Sequence, residues 1–253
     1  GLVIKASRNF NQLDQLRVWL SKGIHVKRLH PDKTTYESDS SSATYNQEDG
    51  PSNLFTDLVH FLLTDDVAGA GHLLKMTEDN PSLLNVADLQ ETSKFLRANN
   101  LFFNGAIADR SNIRGLISQL APNFLCNFLI SNGKFSIKPA VPVNSDGTIS
   151  TGAVPIKQLF TDGNILEDTF QLEYLAAEER QPFKAVVRYR KERQNKLPEE
   201  RSIEVRLKGQ EDLPIETFDL TQFCTSSEHA QLVARYFLLL RKLITHTVKF
   251  STT

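Results

Sequence analysis

The sequence predicts an α+β protein, with strand patterns toward both ends of the chain and a mainly helical stretch at about 52–140 between them. Three observations predict it. Apolar and polar residues alternate at period two over 16–28, 169–174, 184–189, 202–207 and 245–250. Apolar residues recur at helical spacing over 54–62, 86–96, 113–120 and 230–237. Turn and capping residues stand where one period gives way to the other.

Taken in order, Leu16, Val18 and Leu20 alternate with Arg17, Trp19 and Ser21. Lys22-Gly23 marks a turn, and Ile24, Val26 and Arg28 continue the alternation, which predicts a hairpin. Leu13, Leu16 and Leu20 also fit a helical face. Pro31 to Ser52 is polar, including Ser38-Asp39-Ser40-Ser41-Ser42, and reads as a long exposed loop. Pro51-Ser52 opens a helix to about Leu63, with Leu54, Leu58, Phe61 and Leu62 on one face; Gly69 and Gly71 then break the chain. A second helix runs from Val86 to Ala98, capped by Asn85 and burying Val86, Leu89, Phe95 and Leu96. Phe102-Phe103-Asn104-Gly105 leads into a third, about Arg110 to Leu120, with Ile113, Leu116, Ile117 and Leu120 inward. Asp109 or Ser111 caps it and Pro122 ends it. Asn132-Gly133 between apolar flanks predicts a type I′ hairpin over Phe124 to Pro139.

Residues 141–155 carry Pro142, Gly147, Gly152 and Pro155 and read as a linker. Strands follow at Thr169–Tyr174, Lys184–Tyr189 and Ser202–Leu207, the last two around a charged tip, Lys191 to Arg201, that reads as a solvated loop. Thr225-Ser226-Ser227-Glu228 has capping-box spacing with Thr225 as the cap. The helix behind it reaches about Leu243 with Ala230, Val233, Ala234 and Phe237 inward, and Thr245 to Phe250 is a closing strand. The expected organisation is an N-terminal β-segment with polar loop (1–51), a helical α+β module with its hairpin (52–140), the linker (141–155), and a C-terminal β-domain with one long helix (156–253).

The chain has 253 residues, 40% hydrophobic and 23% charged, enough to bury a core without disulfides. A formal charge of -1 lacks the basic footprint of a nucleic-acid-binding domain. No stretch approaches the roughly 18 consecutive apolar residues of a membrane-spanning helix. Cys126 and Cys224 have no metal or framework spacing and read as buried thiols, which fits a reducing compartment. The chain starts at Gly1 without a secretory pattern, and both ends read as cuts through a larger protein.

No catalytic, cofactor or metal residue is expected. His25, His30, His60, His72, His229 and His246 form no helical two-ligand pair. The doublets Asp65-Asp66, Glu78-Asp79, Glu178-Glu179 and Glu199-Glu200 point neighbouring carboxylates to opposite sides, unlike the facing pair of a glycosidase. Asp65 and Asp66 lack an EF-hand pattern for calcium. There is no nucleophile elbow, Asn132-Gly133-Lys134 lacks the upstream glycine of a phosphate loop, and Gly69-Ala70-Gly71 reads as a flexible turn.

Four stretches carry a resemblance. They are Leu16–Leu29 with its polar loop; Asn53-Leu54-Phe55 through Leu62-Leu63-Thr64-Asp65 to Gly69-Ala70-Gly71; Phe103-Asn104-Gly105-Ala106-Ile107 with the Ile113–Leu120 helix and Asn-Gly hairpin; and Phe218-Asp219-Leu220, Thr225-Ser226-Ser227-Glu228-His229-Ala230 and Thr247-Val248-Lys249-Phe250. In this order the chain resembles the central region of bacteriophage tail-tip, or host-specificity, proteins, which are related to the baseplate hubs of contractile tails. The family often has Tyr where this chain has Ala68, and its members are much longer. The resemblance implies barrel-like β-domain segments at both ends of the chain around the helical module. It also implies a virion structural role in the phage tail, made in the host cytoplasm: a homotrimer joining the tail tube to a fibre or spike and lining the DNA conduit. Its partners would be its own copies and other tail proteins, with no catalysis, cofactor, metal or specific nucleic-acid binding. The alternatives are a phage-borne glycan or cell-wall hydrolase, which needs converging carboxylates, and a carbohydrate-binding adhesin module, which needs an exposed aromatic platform beyond Trp19.

Overall fold

A computed structural model of the chain describes residues 25–29, 48–107, 112–153, 156, 158–193, 198–207 and 213–252. The predicted hairpin lies outside these residues up to position 24, as do His30, Trp19 and most of the polar loop. Strand β1, His25–Arg28, pairs antiparallel with β2, Glu48–Pro51. That pairing corrects the end of the predicted loop. Nothing in the composition of 48–51 marks a strand. Gly50 pairs with Val26 across the ribbon and lies against the Arg28 side chain, where an added Cβ would sit 3.1 Å from Nε.

Helix α1, Phe55–Thr64, packs on β1 and on helix α3, Val86–Ala98. It begins later than predicted, and its buried face is Phe55, Val59, Leu62 and Leu63 together with four polar residues. The turn beyond it is close-packed rather than loose. Ala70 donates its amide to the Leu62 carbonyl at 2.8 Å, and Gly71 donates to Asp65 O at 3.0 Å. A Cβ on Gly69 or Gly71 would lie 2.6 or 2.1 Å from the backbone oxygens of α1, so the turn requires both glycines. A short helix, α2 (Gly71–Leu74), follows.

Helix α3 starts at Asn85, as the sequence predicts. The Asn85 Oδ1 accepts from the Asp88 amide, and Asn85 Nδ2 donates back to Asp88 Oδ2 at 2.7 Å. The same carboxylate accepts from Ser136 Oγ at 2.6 Å and pairs with Lys138. Asp88 therefore holds the hairpin of β3, Cys126–Ser131, and β4, Lys134–Pro139, against the helix. At its tip Asn132 and Gly133 have φ of 52° and 73°, the left-handed pair that a type I′ turn needs. Helix α4, Ile113–Leu120, is capped by Asn112, whose Oδ1 accepts from the Gly115 amide. The predicted caps Asp109 and Ser111 lie outside the described residues. Helix α4 ends at Leu120, as the sequence predicts, and Pro122 then sits inside a following 3₁₀ turn, Ala121–Phe124, at a position where its missing amide costs nothing.

Residues 141–150 are more than a spacer. Asn144 and Thr148 bond through their backbones, and Asn99 at the end of α3 both donates to Gly147 O and accepts from Ile149 N. Beyond them stands β5, Gln171–Tyr174. Next comes a three-stranded sheet in the order β7-β6-β8: β6 is Lys184–Lys191, β7 is Glu199–Val205 and β8 is Ile215–Asp219. Strand β7 is antiparallel to β6 and β8 is parallel. Strand β8 is not among the strands that the sequence predicts, since it presents only Ile215, Thr217 and Phe218 as strand formers. Helix α5, Ser227–Leu243, lays Ala230, Val233, Ala234 and Leu238 over Ala185, Val187 and Tyr189 of β6. Phe237 is partly buried at the edge of the same layer. The last strand, β9 (His246–Lys249), pairs antiparallel with β5. The protein is thus α+β, and no closed barrel forms among the described residues. One apolar core runs from Leu29 to Leu238.

Candidate functional site

Three places concentrate side chains that a featureless fold does not require. The first is a junction between α1, the 3₁₀ turn and the start of α5. Phe55 stacks on Phe124 with ring centroids 4.6 Å apart, and Phe124 lies 5.3 Å from both Phe223 and His229. Phe103 stacks on Phe223 at 5.9 Å. The His229 ring Nε2 is 2.8 Å from Asn123 O, and burial lowers its pKa. Asn104 ties the rim: its amide donates to Phe223 O, its Nδ2 to Thr225 Oγ1, and its Oδ1 accepts from Asn53 Nδ2. Thr225 is thereby engaged elsewhere, and the cap of α5 is Ser226, whose Oγ accepts from the amides of Glu228 and His229. This corrects the predicted cap by one residue. The third and fourth resembling stretches meet here.

The second place is inside α1. Asp57 is buried, accepts from the Leu29 amide at 3.0 Å and from Ser52 Oγ, and is pushed up to about 6 by burial, against those two hydrogen bonds and nearby Arg28. One turn on, His60 is fully buried, and neither ring nitrogen has a hydrogen-bond partner. Burial, with Lys27 adding, lowers its pKa to about 4, so it is neutral at pH 7. Thr56 and Ser93 share a hydrogen bond beside them. Asp57 locks α1 to β1, which is a structural task. In the sequence His60 is one of six histidines, and its place at an inward helical position is the signal that sets it apart.

The third place is the ribbon of β5 and β9. Leu172 faces Val248 and Tyr174 faces His246 across the strands. Directly paired residues share a face, so Phe170, Leu172, Tyr174, His246, Val248 and Phe250 make one apolar, aromatic side. Gln171, Glu173, Thr247 and Lys249 make the polar side. Phe160 touches Phe250 edge-on at 4.8 Å, yet every residue of both strands is exposed, Tyr174 at 72% and Leu172 at 45%. A two-stranded ribbon with an uncovered apolar side is marginal by itself.

The other predicted candidates are dispersed. Asp65 accepts from the amides of Val67 and Ala68 in the turn after α1. Asp79 pairs with Lys27, and Glu179 accepts from the Ala176 amide. Glu199 pairs with Arg193 and Arg201, and Glu200 with Arg188 and Arg190, on the solvent side of the charged hairpin. Among the described residues no three metal-ligating side chains converge. No described helix is long and apolar enough to cross a membrane. Both cysteines are free and buried; burial raises the Cys126 thiol and pushes Cys224 up to about 11. No protein-family model matches the chain, and no curated protein matches it.

Proposed function

We propose that the chain is a structural component of a bacteriophage tail tip or baseplate hub, working through contacts with its own copies and with neighbouring tail proteins. The single observation that carries this reading is the β5–β9 ribbon. Its apolar side has the composition of a buried layer and lacks a cover among the described residues. Its alternating pattern calls for a second layer or further strands to shield it. In an assembled trimer, strands of an adjoining subunit supply them, and the ribbon becomes part of a barrel-like wall that no single chain closes. The meeting of the third and fourth resembling stretches at the Asn104 junction supports the same reading, because their common order then has a common structural reason. On this reading the protein makes or breaks no bond, and its task is to hold symmetry between tube and fibre.

Immunogold electron microscopy of purified phage particles, with antibody raised against this chain, tests the proposal. Label at the tail tip supports it. A chain absent from the virion, or found only with lysed host debris, overturns it.

A further inference from the structure

We propose that a notch between the segment leading into β6, Leu207 just after β7, and the last turns of α5 is a binding site for a peptide segment that carries a carboxylate beside an apolar side chain. The notch has a volume of about 200 Å³, room for one side chain. Its floor is Phe183, Leu207 and Leu238, and its rim carries Arg180, Arg241 and Lys242. Arg241 is fixed in place. Its guanidinium lies 4.2 Å over the Phe183 ring and pairs with Glu216. One carboxylate thus answers three cations, and neither Arg180 nor Lys242 has an acidic partner among the described residues. A guanidinium held on an aromatic face keeps further N–H donors to offer, so it suits planar carboxylate recognition without a new ordering cost. The apolar floor then distinguishes a peptide from a bare anion. Charge complementarity selects an acidic segment, and the size of the floor limits it to one aliphatic side chain next to the acid. The assignment does not depend on the tail reading, and its failure would leave that reading untouched.

The test is fluorescence anisotropy with a labelled hexapeptide of alternating aspartate and leucine, its aspartate-to-asparagine counterpart, and inorganic phosphate as competitor. The acidic peptide should bind with a dissociation constant below about 1 mM, at least about tenfold tighter than the asparagine peptide. The double variant Arg180→Gln, Lys242→Gln should lose at least about fivefold in affinity with an unchanged melting temperature, since both side chains are exposed. Equal binding of the two peptides, equal binding to the variant, or complete displacement by phosphate at about the Kd of the peptide overturns the proposal.

Discussion

Asn104 Nδ2 donates to Thr225 Oγ1 at 2.8 Å, joining two residues 121 positions apart. Asn53, Asn104 and Thr225 then form a chain of polar contacts over the stacked rings of Phe103 and Phe223. The start of α1 and the start of α5 are held in one place by a loop between the second and third helices of the sequence reading. This is why a motif as plain as Phe103-Asn104-Gly105 matters. Its Asn supplies donor and acceptor at once, its Phe fills the core beneath, and its Gly lets two backbones touch.

The glycine gives the sharpest mutational expectation. A Cβ on Gly105 would sit 2.1 Å from Gln222 O and 2.9 Å from Phe223 Cα. Both are backbone atoms and cannot swing aside. Gly105→Ala should therefore destabilise the protein by about 1–3 kcal/mol through forced separation of the junction. Urea denaturation checks it, and a midpoint equal to that of the unsubstituted chain would remove the close-approach argument.

Helix faces make a paired expectation. Val233 is fully buried between α5 and the sheet, whereas Leu116 on α4 is only half-buried. Val233→Asp should unfold the protein, because an unpaired buried carboxylate costs several kcal/mol, about the whole margin of stability. Leu116→Asp should cost less, since its carboxylate reaches water by a rotamer change. Circular dichroism melts should rank the two in that order; the opposite ranking would refute the assigned faces.

Acid should weaken the fold through His60 and be partly offset by Asp57. His60 falls from 6.5 to about 4 on folding, so its contribution is full above pH 6.5. As pH drops from there toward 4, the unfolded chain takes a proton that the buried ring refuses, and stability is lost. Asp57 has the opposite sign. Its folded pKa is raised from 3.8 to about 6, so acidification through that window relieves a buried charge. His60→Leu removes the first effect and leaves the second. The variant should gain about 2–3 kcal/mol on the native chain between pH 7 and pH 4.5. At pH 7 it should be no less stable, because two unpartnered ring nitrogens disappear. Parallel pH dependence of both proteins would show that His60 is not buried as neutral imidazole.

Local signals were legible where one or two residues dictate backbone geometry. Asn85 as a cap and Asn132-Gly133 as a turn are legible because each acts on groups within three residues. The i, i+3, i+4 pattern located α3 and α5 for the same reason. Features imposed from afar were not legible. Strand β2 has no strand-like composition and exists because β1 lies beside it. Strand β8 is parallel to a strand thirty residues upstream, a pairing that no local period announces. Thr225, with Glu228 three residues on, fits the capping box and Ser226, followed by His229 there, does not; the cap is nevertheless Ser226, because Asn104, reaching in from another part of the chain, engages the Thr225 hydroxyl. The exposed ribbon could have been suspected from Phe170, Leu172 and Tyr174 alternating with polar neighbours, but its lack of a cover is visible only in three dimensions.

The ribbon also separates folding from assembly. Leu172 and Val248 are paired and exposed at 45% and 43%, so each already meets water in the isolated chain. Replacing both with lysine adds charge where no core contact is lost. The melting temperature of the double variant Leu172→Lys, Val248→Lys should shift by no more than about 0.5 kcal/mol equivalent. In the proposed assembly the same positions lie under an adjoining chain, where two unpaired ammonium groups cost several kcal/mol each to desolvate. Complementation of a phage lacking the gene should therefore fail with the double variant, while the purified variant remains folded by circular dichroism. The polar-side control, Gln171→Lys with Thr247→Lys, adds equal charge to the opposite side of the same strands and should assemble. Particles formed equally well by both variants would mean that the apolar side stays wet in the virion, and the ribbon would no longer support an assembly role.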